Sequence, residues 1–203
     1  MNATISSIVI RNAIEYVYKA HAANRSKRPD KEVCYSIGAH LMIAIAIEGI
    51  GNEIGEAAFG KDKWNRLERR RTVYKWRLLS EINKNKPFSL NKEPLLTVDY
   101  INSIRNRIAH PKVVDLGDDI IIRSKNRVLR RNPQPNYILK EGDTLFIGVT
   151  KLLTEFNYHT SFDAIRRPIS AIRVLREHIT VTGLDWIDDM EKKFLRRTSP
   201  KRK

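Results

Sequence analysis

The sequence predicts an all-α fold, a bundle of five to six helices forming one domain. Three observations carry that reading. Apolar residues recur at i, i+3, i+4 and i+7 spacing through most of the chain. The longest apolar run, Val33 to Ile50, has the length of a helix rather than a strand. Only Pro111 to Asp143 departs from the helical period, and the pattern there suggests a small β-hairpin or loop insertion at about 112–140. The domain is drawn over residues 1–195, with the insertion spanning about 111–143 and a basic flexible tail at 196–203.

The elements follow in order. From Thr4 to Ala23, the residues Ile5, Val9, Ala13, Tyr16, Val17 and Ala20 recur at helical spacing, so one face is expected to pack inward. Asn24 to Asp30 reads as a basic loop containing Pro29. Glu32 to about Gly51 is the central helix. Ser36, His40 and Glu48 interrupt its apolar run, whereas a membrane span would be longer and cleaner, so it reads as a helix buried on most sides. Its small residues Gly38, Ala39, Ala44 and Ala46 would let neighbouring helices approach closely.

Lys63 to Ile82 is expected as one further helix. Trp64, Leu67, Leu78, Leu79 and Ile82 are its apolar positions, and Arg66, Arg69, Arg70, Arg71, Lys75 and Arg77 decorate it. A polar loop, Asn83 to Pro94, leads to a helix that ends at His110, with Asp99 or Thr97 as its N-cap. Val113, Val114 and Ile120 to Ile122 flank Leu116 to Asp119 as a short hairpin, and Asn132 to Asn136 is a loop. The helical period returns from Thr144 to Tyr158 and from Phe162 to Ile179.

Composition narrows the function classes. The chain has 203 residues, 41% of them hydrophobic, which is enough for a sizeable core. Its 38 Lys+Arg against 23 Asp+Glu leave a net charge of +15, and a single domain this basic favours polyanion partners. The lone cysteine, Cys34, cannot form an internal disulfide; it fits a reducing, cytoplasmic setting and reads as a small buried hydrophobe. The N-terminus has no basic segment of a secretory signal, and no membrane association is expected. Gly49, Gly51 and Gly55 do not follow a strand, so no P-loop or dinucleotide loop is present, and no cofactor is expected. No two histidines stand at metal-ligand spacing with a carboxylate, so no metal is expected.

The most informative segment is Arg105-Asn106-Arg107-Ile108-Ala109-His110, followed by Pro111. At about 100° per residue, Ile101, Ile104 and Ile108 form one apolar stripe. Asn102, Asn106 and His110 lie four apart on a flank away from it, so Asn106 can orient His110. Arg105 sits at the stripe's edge, with a side chain long enough to reach across. Pro111 disfavours helix at His110 and should end the helix there. Histidine exchanges protons near neutral pH, and arginine presents a planar fork of charge to a phosphate gaining negative charge. Arg173 and His178 share the same separation, but lack the polar neighbour and the following proline, and read as the outer surface of an amphipathic helix.

Arg105-Asn106-x-x-x-His110-Pro111 at a helix end resembles the signature of the HEPN superfamily, all-α domains whose pattern is an arginine, a polar residue and a histidine after a short gap. The helix with Glu48 and Asn52, and the segments Trp64-x-x-Leu67 and Lys75-Trp76, extend the resemblance over about Thr4 to Pro111. The resemblance implies a HEPN-like bundle acting as a metal-independent endoribonuclease. His110 would be the general acid/base, Arg105 the stabiliser of phosphorane charge and Asn106 the positioning group, with Glu48 and Asn52 supporting the site. It also implies RNA as partner, a homodimer with both motifs facing one cleft, and a toxin or anti-phage setting with an inhibitory antitoxin protein.

Other residues have plainer readings. His40 is expected as a satisfied core residue, while His21 and His159 near helix ends should be exposed. Glu48, on a largely buried helix, needs a partner: it could pair with Arg105, line the cleft, or form a structural salt bridge. Arg66, Arg69, Arg70, Arg71 and Arg77 read as a solvated helix face or as a nucleic-acid-binding phosphate track. Trp64, Tyr74 and Trp76 interleave with them as candidate stacking platforms, at least one tryptophan being core. The rival function class is a non-catalytic basic module that binds RNA or an acidic protein. A DNA-binding regulator lacks a convincing recognition-helix pair.

Overall fold

The computed structural model describes residues 4–67, 69–82, 86–109, 120–124, 127–131, 143–147, 155–179, 184 and 186–198. Among them the architecture is helical: α1 (Ile5–Arg25), α2 (Pro29–Phe59), α3 (Lys61–Asn65), α4 (Thr72–Ser80), α5 (Leu95–Ala109), α6 (Tyr158–Ile179) and α7 (Trp186–Thr198). Between α5 and α6 run three short strands, β1 (Ile120–Ser124), β2 (Arg127–Arg131) and β3 (Asp143–Ile147), in the antiparallel order β2-β1-β3.

Helix α2 is the hub. It packs against α1, α3, α4, α5 and α6, and its Ile43, Ile47 and Ile50 are fully buried. It is long and apolar enough to cross a membrane, and half of that apolar window is buried inside the bundle. The small residues of α2 set how closely partners dock. A Cβ on Gly55 would lie 2.2 Å from the Trp64 ring, and one on Gly51 would lie 3.1 Å from Trp76 Nε1, so both indoles rest directly on the α2 backbone.

Those two contacts explain why Lys63 to Ile82 is not the single helix expected. Twelve residues of unbroken helix would separate Trp64 from Trp76 by roughly 18 Å along the axis, whereas Gly55 and Gly51 stand one turn apart, roughly 6 Å. The chain satisfies both docking sites by breaking. Helix α3 ends at Asn65, Arg71 takes an extended conformation (ψ 141°), and α4 restarts at Thr72. Trp76 Nε1 then donates to the Ile47 carbonyl at 3.1 Å, and Trp64 Nε1 to Asn52 Oδ1 at 3.0 Å.

Polar contacts fix the helix ends. Thr4 Oγ1 caps α1 by accepting from the Ser7 backbone N–H. Glu32, buried at the start of α2, accepts two bonds from Asn24 Nδ2 (3.1 and 3.0 Å) and one from the Tyr158 backbone N–H at 2.9 Å. One carboxylate thereby ties α1, α2 and the start of α6, the set of donors a buried charge requires. Helix α7 buries Trp186, Ile187, Met190 and Phe194 on one face. Arg173 and Arg176 of α6 pair with Asp188 of α7, and Arg173 also with Glu191. The Arg176 guanidinium holds the Asp188 carboxyl below its usual range.

Several expectations need correction. A hairpin turning at Leu116 to Asp119 is not seen among the described residues, although β1 and β2 place an antiparallel pair inside the expected 112–140 insertion. That turn and Val113–Val114 lie outside the described residues, and β1 pairs instead with β2 (Ile121 opposite Arg131) and with β3 (Ile120 opposite Ile147). Ser124 of β1 faces Arg127 of β2 at the end of that ladder. Thr144 lies in β3 rather than at a helix start, because a short apolar run does not distinguish strand from helix by period alone. Helix α5 begins at Leu95, so neither Asp99 nor Thr97 is its N-cap; the Glu93 carboxylate accepts the Thr97 N–H at 3.3 Å. Ile5 is 77% exposed, since the buried stripe of α1 runs through Ser6, Ile10, Ala13 and Val17. Cys34 is exposed, because the inward face of α2 there carries Val33, Ser36 and His40. Helix α7 continues to Thr198, past the boundary drawn at 195; residues 199–203 of the tail lie outside the described residues.

Candidate functional site

The break between α3 and α4 turns three consecutive arginines into a loop. Arg69, Arg70 and Arg71 therefore do not decorate a helix face, as expected; they border a groove of about 260 Å³. Glu48 of α2 forms part of its wall. The last two turns of α5 supply Arg105 and Asn106, with Asn102 and Ser103 a turn earlier and Asp99 before them. Positions 99, 102, 103 and 106 stack on one helical flank, opposite the buried Ile101 and Ile104.

The geometry is polar and open. Arg105 Nη1 donates to Asn106 Oδ1 at 3.2 Å, so the arginine does reach across to the amide row. Arg71 Nη2 meets Asp99 Oδ1 at 2.5 Å in an exposed pair, which contributes little by itself but joins the loop to α5. Four guanidiniums face two carboxylates around the groove. Among the described residues no carboxylate lies within 4.0 Å of Arg69, Arg70 or Arg105. Convergent guanidiniums with exposed donors bind phosphate oxygens well, since each planar fork can donate two parallel bonds.

Behind the wall sits an ammonium the sequence reading counted as surface charge. Lys75 of α4 is 2% exposed, donates to Asn52 Oδ1 at 3.2 Å, and reaches Glu48 Oε1 at 4.0 Å. Glu48 thus lines the groove and pairs with Lys75, not with Arg105. Asn52 does not border the groove; its one oxygen accepts both Trp64 and Lys75, which braces the loop from inside.

The remaining named residues divide. Arg66 is exposed but does not border the groove, and Arg77 is half-buried, its Nε having no hydrogen-bond partner among the described residues. Arg107 turns away to Glu155 at 2.5 Å. His110 follows the last residue of α5 in the chain and lies outside the described residues. His40 is buried with Nδ1 2.8 Å from the Ser36 carbonyl, and burial holds its pKa below the ordinary value against the opposing pull of that hydrogen bond. His21 is half-buried and stacks on Tyr158, and His159 is exposed. His178 is not simply outer surface: it packs on Phe88, with Nε2 3.1 Å from the carbonyls of Ser80 and Lys86. Among the described residues no three His, Cys, Asp or Glu side chains cluster as metal ligands.

Asp99 and Lys75 were missed as site residues. The polar period 99–102–103–106 along α5 would have located Asp99. Lys75 carried no signal, because only the break before Thr72 turns that position inward. Trp64 and Trp76 are both core, leaving Tyr74, 49% exposed, as the one surface ring of the three. The chain significantly matches no protein-family model, no curated protein and no solved structure.

Proposed function

We propose that the protein is a HEPN-like, metal-independent endoribonuclease that seats an RNA phosphate in the arginine groove. One observation carries the reading: Arg105 and Asn106, five and four residues before His110 in the chain, share a single groove with Arg69, Arg70 and Arg71. In this reading His110 takes the proton of the substrate 2′-OH. The 2′ oxygen forms its bond to phosphorus as the bond to the 5′ oxygen breaks, and the imidazolium returns the proton to that departing oxygen. Arg105 stabilises the phosphorane charge, and Asn106 holds the Arg105 guanidinium in place. Products carry a 2′,3′-cyclic phosphate and a 5′-OH, and DNA, which lacks the nucleophile, is not cut. The working form is a homodimer with two such grooves facing one strand, in a toxin–antitoxin or anti-phage setting under an inhibitory antitoxin, in the cytoplasm.

The test is incubation of purified protein with RNA in EDTA. Wild type should cut and leave cyclic phosphate ends, while His110→Ala and Arg105→Ala should lose at least a hundredfold, roughly the share general acid–base or oxyanion groups contribute. Equal cutting by the variants ends the assignment. No cutting by wild type, with salt-sensitive RNA binding retained, selects the rival reading of a non-catalytic RNA-binding module, which the same arginines favour.

A further inference from the structure

Next to the arginine groove lies a second pocket of about 270 Å³, between α4 and the loop that precedes it. Leu67, Tyr74 and Leu78 give it apolar and aromatic walls, and Lys75 and Arg70 complete it. Arg70 borders both spaces, so the pocket and the groove adjoin at one side chain.

We propose that this pocket is a nucleobase subsite, taking one unstacked base of a single-stranded RNA whose phosphate rests on the arginines next door; the proposal rests on the ribonucleic-acid reading above. Its size, at the lower end of ligand pockets (roughly 300 Å³ upward), suits one base and not a stacked pair. Tyr74 offers a half-exposed ring beside a track of positive charge, the combination that binds single strands. Trp64 and Trp76, the other rings of this stretch, are sealed in the core. Arg70 lets one side chain hold the phosphate while the adjoining base enters.

The chemistry of the walls also sets the specificity. Lys75 directs its ammonium to Asn52 and Glu48. Apart from Arg70, which it shares with the groove, the pocket therefore meets a base with the Tyr74 side chain and the aliphatic carbon of Leu67 and Leu78. Recognition is by stacking, which every base satisfies and purines satisfy best.

The experiment measures binding of short RNA oligomers with 2′-O-methyl riboses, which carry no nucleophile and cannot be cut. One oligomer has all its bases; the other has the same charge and one abasic position. Wild type should bind the complete strand about tenfold more tightly than the abasic one. Tyr74→Ala should erase that preference by weakening only the complete strand, and Tyr74→Phe should keep it. Equal binding of both oligomers by wild type overturns the subsite while leaving RNA binding in the groove intact. Unchanged discrimination in Tyr74→Ala also overturns it. Failure of wild type to bind either oligomer removes the ribonucleic-acid reading together with the subsite. Tyr74 is half exposed, so circular dichroism should show the variants folded as wild type.

Discussion

Replacing Glu48 with Gln tests the Lys75–Glu48 contact as structure and as site. The ammonium of Lys75 is sequestered, with Asn52 at 3.2 Å and Glu48 at 4.0 Å as its two oxygen partners. At that separation the attraction is on the order of 4 kcal/mol for an effective dielectric near 20. Glu48 is 40% exposed, so water competes for it and the retained share is about 1–2 kcal/mol. For a chain of this size that corresponds to a fall in melting temperature of roughly 2–8 °C. Lys75→Met should behave differently. It keeps the stem, removes the charge that must be desolvated, and leaves Asn52 its bond from Trp64, so stability should stay within about 1.5 kcal/mol of wild type or rise. The double variant should then cost no more than Lys75→Met alone, a coupling of about 1–2 kcal/mol in the cycle. Thermal and urea melts followed by circular dichroism give the numbers. A melting point for Glu48→Gln equal to wild type, or additive effects of the two changes, refutes the argument. RNA cleavage measured on the same variant separates the roles: a structural carboxylate lowers stability and spares cutting, while a reacting one lowers cutting alone.

Other outcomes follow from the same contacts. Gly55→Ala must push the Trp64 ring back by about 1.2 Å to restore ordinary contact at 3.4 Å, so the helix-propensity gain should be outweighed and the melting temperature should fall by about 4–10 °C. Gly51→Ala asks Trp76 to yield only about 0.3 Å and should be near neutral in the same melt. His40 has a folded pKa below its ordinary 6.5. The unfolded chain therefore takes up its proton first, and the His40 share of stability is complete above pH 6.5 and lost as pH falls below it, at no more than about 1.4 kcal/mol per pH unit. Melts between pH 5 and pH 7 should show that slope in wild type and a shallower one in His40→Gln. Each Gln at Arg69, Arg70 or Arg105 should reduce the slope of log affinity for single-stranded RNA against log salt by about 0.7; an unchanged slope would place the phosphates elsewhere.

The helices were legible where one face alone is buried. In α5, the stripe Ile101 and Ile104 and the row Asn102 and Asn106 alternate cleanly, so the flank that carries Asn106, with Arg105 beside it, is legible in the sequence. Where tertiary docking overrides periodicity, the reading failed. The break between α3 and α4 depends on where two indoles land on α2, a contact between residues nine to twenty-five positions apart that no local pattern encodes. Lys75 looked like surface charge for the same reason. Helix α7 went unread although Trp186, Ile187, Met190 and Phe194 repeat at helical spacing, because nine charged and polar neighbours from Asp185 to Thr198 dilute the apolar signal. Strand pairing was misassigned because Ile120 to Ile122 pair on both sides, with β2 and with β3, and an apolar run of three does not say which segments those partners are.

The interrupted helix has a thermodynamic corollary. Three neighbouring cations repel one another, and what keeps them aligned is a pair of aromatic anchors, one on each side, seated on glycines of the hub. Occupancy of the loop by any polyanion must then tighten those anchors by linkage, and heating must scatter the cations at the moment the anchors let go. Affinity and heat resistance in this molecule should consequently rise and fall together, a correlation that a loose, independently folding basic arm would not display.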